Sequence, residues 1–552
     1  MTEFPYFSTR GFSARTLAVA IVALVVLFST AWTAFAAEET VAEDQPPAAE
    51  NASFDPFEQT VDQLQVAMGN GRLTAVELLD YHLQRIAHFD QRGPTLNAVA
   101  AVNPEARRIA QALDREREQR GPRGPLHGIP VIVKDNFETR GMQTTAGSAA
   151  LAGFAPQRDA FQVERLRAAG AVIIGKANMH EFGYGITSMG SGFGAVRNPY
   201  DPSRNPGGSS GGSAAAIAAN FASAALGTDT CGSIRIPAAH NNLVGLRGTQ
   251  GLSSRRGILP LSHTQDVAGP MARTVTDVAH LLDATVGFDR QDLQTADSFG
   301  HIPDSYANEL HPGALRGANV GLLEDLLLVD PEDAEVAAIV GAAAEAMQAM
   351  GANIRRIRIP GLDGLLSTRV DGFFVLVHDF KTDINAYLLA NPEAPVKSLA
   401  EILAGGAYHE SIDSSLRLSA AMDDGSRADY LAELDHRRRL RQRTLAVMAQ
   451  HGLDVLAYPS IRRKAEPIGL DQPGSNCRLS ANSGLPALTL PAGFTDDGLP
   501  VGIELLGAPW SEPMLLSLGF SFEQGTRHRR PPVLTVPEPP VEANPTEENG
   551  DG

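Results

Sequence analysis

In the stretch GTDTCGSIRIPAAH, Gly227 to His240, a serine stands at a glycine-punctuated turn between an apolar run and a segment that can form a helix. Ser233 is that serine. A hydroxyl at a strand-to-helix turn is well placed to attack a carbonyl, and successive backbone N–H groups at a helix start can hold the oxyanion that results. A serine hydroxyl is a poor nucleophile until a base takes its proton, and the usual partner is histidine. His180, His240 and His263 are near in sequence. The other candidate is Lys134, which closes the apolar run Ile129 to Val133. Burial there would lower its pKa and let it act as a neutral base.

These side chains need rigid elements beneath them. GPLHGIPVIVKDN reads as a short buried strand ending at Lys134, AVIIGKAN as a second ending at Lys176, and ASAALGTD as a third. AAAIAAN is helix-forming, with Ser210 or Ser213 as its cap. PGGSSGGSAAA, Pro206 to Ala216, has the composition of a flexible linker, yet it runs directly into that helix. Gly170, Gly175 and Lys176 imitate a phosphate loop. The residues between the glycines include AVII, and Ala177 replaces the Ser or Thr, so apolar strand residues stand where a cradle of N–H groups is needed and ATP binding is excluded. Upstream, residues 60–90 read as two amphipathic helices broken at Gly69 and Gly71. Downstream, a helix is expected over 330–350, a strand over NIRRIRIP, and a long helix over 426–450 whose solvated face carries Arg437 to Arg439.

The 552 residues carry a formal charge of −18, much of it in two acidic, Pro- and Ala-rich ends at 38–50 and 538–551. Such ends cannot bury enough apolar area to fold, and the mild acidity of the remainder argues against a nucleic-acid partner. Arg10 and Arg15 precede an uncharged stretch running to Glu38, with Ala34-Phe35-Ala36 as a cleavage site. This is the layout of a secretory signal peptide over 1–36, so the body is expected to be exported, periplasmic or extracellular. Uncleaved, the stretch could anchor the chain in a membrane. An acidic disordered linker over 37–54, one large domain over 55–530 and a disordered tail over 531–552 complete the expected division. Cys231 and Cys477 are too few for a zinc site.

Taken in order and spacing, GPLHGIPVIVKDN, NPGGSSGGSAAAIAA, GTDTCGSIRIPAA and GPMARTVTD resemble the amidase signature family. The likeness covers about residues 55–530. It implies a single large α/β/α domain with a central mixed β-sheet flanked by helices, and a Ser-cisSer-Lys triad: Lys134 as base, Ser209 as bridging serine and Ser233 as nucleophile. Thr230, Cys231, Gly232 and Ser233 would supply the oxyanion N–H groups. The activity implied is hydrolysis of a small-molecule carboxamide through an acyl-enzyme, with no cofactor and no metal, by a monomer or homodimer. The alternatives are an amidotransferase A-type subunit that releases ammonia from an amide donor, and a catalytically silent binding protein on the same fold.

Within this frame Asp229 is expected to order the oxyanion turn, Arg235 and Arg273 to support loops, and His180, His240 and His263 to be structural. Arg462, Arg463 and Lys464 are expected on a solvated face. Cys231 stands where most members have Gly, and Arg247-Gly248-Thr249 where Lys-Pro-Thr is common, so the shape of the acyl pocket cannot be carried over from a relative. The family counterpart of the stretch after Cys477 packs near the active site, so the two cysteines could be neighbours able to form a disulfide. Two free, buried thiols lining the pocket is the favoured expectation.

Overall fold

Short, wholly apolar runs become strands that helices cover on both faces. A computed structural model describes residues 54–367 and 369–535. Eleven strands form one mixed sheet: β1 (Val99–Val102), β2 (Pro130–Lys134), β3 (Val172–Ala177), β4 (Ala224–Asp229), β5 (Val244–Arg247), β6 (Val267–Ala272), β7 (Asn319–Leu323), β8 (Asn353–Ile357), β9 (Val455–Pro459), β10 (Ala487–Phe494) and β11 (Pro500–Gly507). Their spatial order is β1-β3-β2-β4-β6-β5-β10-β11-β9-β7-β8. Every residue of β2, β3 and β4 is buried. β2 lies parallel between β3 and β4, with Val133 opposite Leu226. The run AVII is therefore strand, not a phosphate cradle.

β4 and β6 pair antiparallel, which sets Asp229 opposite Val267. β5 then pairs with β10, and Ala487 faces Arg247. Residues far apart in the chain thus share the centre of the sheet. The N-terminal helices Val61–Gly69 and Ala75–Phe89 form where expected, each opened by a threonine capping box, Thr60 with Gln63 and Thr74 with Glu77.

The Gly-Ser stretch is no linker: residues 205–219 are all buried, and the Gly208–Ser209 peptide is cis. A side chain at Gly212 would collide with the Asn178 carbonyl, so the helix Gly211–Ala218 can seat only glycine there. Ser210 occupies the cap position without capping, because its hydroxyl donates to the Thr228 carbonyl at 3.1 Å. Ser213 likewise donates to Leu226 O at 3.1 Å. Both serines tie the helix to β4 instead of closing its own end.

A second apolar cluster joins Met179, Phe182 and Leu261 near the sheet to Phe380, Leu399 and Leu416 of the helices Phe374–Ala390, Leu399–Gly405 and Asp413–Ala420. The first and third of these helices contribute Leu376, Val377, Ser415 and Leu418 to the cavity that Ser233 also lines. The long helix spans Arg427–His451, but the expected solvated face is only partly right. Arg437 is buried while Arg438 and Arg439 are exposed, since consecutive residues on a helix point about 100° apart. Of the expected leader (1–36), linker (37–54) and tail (531–552), only Phe54 and residues 531–535 are among those described.

Candidate active site

Lys134 ends β2 with its side chain fully buried. Nζ donates to Ser209 Oγ at 2.7 Å and to Thr228 Oγ1 at 2.8 Å. Burial drives its pKa down to about 7, although the carboxylates of Asp229 and Asp266 pull the other way. A lysine near neutrality can exchange a proton with Ser209 at ordinary pH. Ser209 reaches this position because the glycine-rich turn lets the chain pass between β4 and the loop at 180–188, where the His180 N–H donates to the Ser209 carbonyl at 3.0 Å.

Ser233 follows β4 on the turn before the helix Arg235–His240. Ser210 N–H donates to the Ser233 carbonyl at 3.2 Å, which ties the two serine segments together. Among the described residues no hydrogen bond engages the Ser233 hydroxyl, and Ser233 lines a cavity of about 330 Å³. Gly183 lines the same cavity, and a Cβ placed there would lie 3.7 Å from Ser209 Oγ. Ser233 thus lines the cavity, and the Lys134–Ser209 pair lies behind the cavity wall at Gly183.

The turn at 229–233 is held from behind. Gly232 N–H donates to Asp229 Oδ1 at 2.7 Å and Ile234 N–H to Asp229 Oδ2 at 3.2 Å. The Gly232 N–H, expected among the oxyanion donors, thus has a partner already. For the N–H groups of Thr230, Cys231 and Ser233 no partner is found among the described residues. Burial alone would raise the Asp229 pKa, but Arg235 and Arg247 more than reverse this and hold it well below the usual carboxylate range. Arg235 continues the chain of charge to Glu504 at 2.6 Å, whose other partner is the Tyr458 hydroxyl at 2.8 Å. Arg247 also donates to the Asp229 carbonyl, so it does more than replace the lysine of the common motif.

Several positioning groups escaped the sequence reading. Thr228 anchors Lys134, Asp266 Oδ1 accepts from Thr230 Oγ1 at 2.6 Å, and Gln265 Nε2 donates to Thr230 O at 2.8 Å. Gln265 Oε1 in turn accepts from the buried Arg437 at 2.5 Å. Thr228 could have been found from alternation, since it is the polar residue of a strand face whose other members are Ala224 and Leu226. Gln265 and Asp266 could not, because only the β4–β6 register brings them there.

Cys231 and Cys477 form a disulfide, with Cα atoms 5.0 Å apart. This corrects the expectation of two free thiols. The helix Arg478–Ser483 begins beside the turn at 229–233, and the Cys477 carbonyl accepts from Arg235 at 3.2 Å, so two sulfurs 246 residues apart in the chain are brought together. Gly232 lies against this bond: at φ +86°, a Cβ there would sit 2.6 Å from Ile236 Cδ1 and 2.9 Å from Cys477 Cβ. Gly232→Ala is expected to cost about 1–3 kcal/mol in strain alone. Thermal unfolding that matched the parent would show that the turn has room to spare.

Other expected residues divide. Arg235 is fully buried in the network above, and Arg273 donates to the Ala222 and Gln59 carbonyls, so neither lines the cavity. His240 Nε2 meets the Arg463 carbonyl at 3.2 Å, and His263 pairs with Asp383 at 2.9 Å. His180 is less well satisfied, with one contact of 3.4 Å to Thr187 Oγ1, and burial pushes its pKa down to about 3. It is a neutral ring, not a competing base. Arg462 and Arg463 are not on a freely solvated face: both grip the buried Asp333, at 2.9 and 2.5 Å, while Lys464 bridges Glu335 and Asp497. His263, Asp379 and Asp383 place ligand atoms within 4.8 Å of one another, but the His263–Asp383 pair already accounts for that grouping.

Comparison with known proteins identifies the family. The Amidase family model matches residues 77–516. The native peptide amidase from Stenotrophomonas maltophilia superposes with a TM-score of 0.81 at 40% identity, over 87% of this chain and 99% of that one. A protein of Arabidopsis thaliana described as a probable amidase is 34% identical over 495 residues, covering 87% of this chain and 93% of its own. A glutamyl-tRNA(Gln) amidotransferase A-type subunit from Symbiobacterium thermophilum is 37% identical over 487 residues, covering 84% of this chain and 96% of its own. The chain belongs to the amidase signature family and is an amidase, an enzyme that hydrolyses carbon–nitrogen bonds.

Proposed function

We propose that Ser233 is the nucleophile, Lys134 the base and Ser209 the proton relay of this amidase. The observation that carries the reading is the contact of a buried lysine, its pKa drawn to about 7, with Ser209 Oγ at 2.7 Å beside a cavity into which Ser233 opens. Neutral Lys134 takes a proton from Ser209, which takes one from Ser233, and Ser233 Oγ bonds to the amide carbon. The carbonyl oxygen gains the electron pair and rests against the free N–H groups of the turn. When the tetrahedral adduct collapses, the C–N bond breaks and the proton returns through Ser209 to the departing amine. Water then repeats the attack on the acyl-enzyme and releases the carboxylic acid.

Only neutral Lys134 can begin this sequence. kcat/KM is expected to rise about tenfold per pH unit well below pH 7 and to level off above it. A flat profile between pH 5 and 9 would remove Lys134 from the role. The second reading, an ammonia-releasing amidotransferase subunit, has the Symbiobacterium relative in its favour. Against it, glutamine carries a charged ammonium and carboxylate, and no described residue lining the cavity is charged. Export is part of the same proposal: an N-terminal leader pattern and a disulfide both suit an oxidising compartment.

A further inference from the structure

We infer that the substrate's acyl group is uncharged and apolar, on the order of ten heavy atoms, and that the helix Asp413–Ala420 sets this selectivity. The inference rests on Ser233 as nucleophile, because the acyl half is the part that stays bonded to Ser233 after the amine has left and so is the part the cavity must house.

The cavity's walls are Ile186, Leu261, Phe373, Leu376 and Val377, closed beside the nucleophile by the Cys231–Cys477 disulfide. What polarity the described lining has comes from hydroxyls and backbone, chiefly Tyr184, Thr230, Ser415 and Ser475. None of the described lining residues can neutralise an ion. Arg235, Arg247 and Arg437 lie close in the chain or the fold, but Asp229, Glu504 and Gln265 engage them and they do not line the cavity. A carboxylate buried here would lose its hydration with nothing in return, whereas a hydrocarbon chain gains by leaving water. The volume, about 330 Å³, is roughly eleven times the ~30 Å³ share of one water, which sets the size of the group.

At the outer end the apolar surface continues into solvent. Val370 is 42% exposed and Leu418 is 39% exposed, and both line the cavity. Leu418 and Ser415 lie one turn apart on the helix Asp413–Ala420, whose Ser419 is held by the Tyr184 hydroxyl. That bond fixes the helix against the loop at 183–186, so its side chains meet the acyl group at a set distance. A half-exposed leucine at the mouth is where a longer chain would first meet the protein.

The test compares hexanamide with the monoamide of adipic acid, which has the same six carbons and a terminal carboxylate. In the parent enzyme kcat/KM should favour hexanamide by about 100-fold. The same order should appear in the Kd of each compound for Ser233→Ala by calorimetry, where no chemistry intervenes. Leu418→Arg should narrow the gap by about tenfold, and Ser415→Lys provides the same charge one turn away if the first variant does not fold. Equal or reversed preference in the parent, with both activities silenced by Ser233→Ala, would overturn the inference and leave the nucleophile standing. Turnover that survived Ser233→Ala would end the nucleophile assignment, and the two Kd values would still decide whether the cavity rejects charge.

Discussion

Ser233→Ala is expected to lower kcat by about 10⁴- to 10⁶-fold while the thermal midpoint moves little. The hydroxyl makes no hydrogen bond among the described residues, so removing it takes little from the fold. Every covalent step in the proposed sequence passes through that oxygen. In the parent enzyme, rapid quenching followed by mass spectrometry should find the acyl group on the peptide that contains Ser233. An adduct on another residue would refute the assignment, and so would a variant that keeps a tenth of the parent rate. Lys134→Met should be nearly as severe, because the two serines would then have no acceptor for the proton. The effects are not additive: with Ser233 already replaced, losing Lys134 should cost little more, since the groups act as one unit.

Breaking the Cys231–Cys477 bond should produce the second largest effect, and on two measurements at once. The bond closes a loop of 246 residues. On the chain-entropy model that contributes about 5 kcal/mol, an upper figure if the unfolded chain keeps any structure. Cys231 also belongs to the turn whose N–H groups we propose as the oxyanion donors, and loosening such a donor set costs on the order of 10- to 100-fold in kcat. Cys231→Ala combined with Cys477→Ala should therefore unfold at lower temperature, and at 25 °C, still folded, should turn over more slowly. Thiol titration of the denatured, unreduced parent should find no free thiol. Two titratable thiols, or a double variant with parental rate and midpoint, would contradict this.

Much of the site was legible because its elements are local. β2 and β4 are short, largely apolar runs that end on Lys134 and Asp229, and a glycine-bearing turn and a helix-forming segment follow β4, so these elements could be placed from composition alone. Residues whose role depends on register were not legible. Thr230 meets Asp266 and Gln265 only because β4 and β6 run antiparallel with Asp229 opposite Val267, and nothing in either segment states that alignment. Arg437 reads as one of three exposed arginines until the helix is laid against Gln265. The cap expected of Ser210 or Ser213 is absent for a related reason, since carbonyls on β4 take both hydroxyls. The disulfide was open on sequence grounds because its geometry is set by the fold and not by spacing.

The seam between β5 and β10 has a consequence for biogenesis. The turn that bears Ser233 is steadied by Arg235, whose far partner is Glu504 on β11, and β5, which pairs on one side with the nearby β6, finds its second neighbour only in β10, with Arg247 opposite Ala487. Contacts so distant in the chain form late, after nearer ones have paid their ordering entropy. A growing or prematurely ended polypeptide that stops before residue 504 holds the proposed Lys134, Ser209 and Ser233 set but lacks the Glu504 partner of Arg235 and is expected to be inactive. Hydrolytic power is thus expected only once β10 and β11, the last strands to be synthesised, are in place.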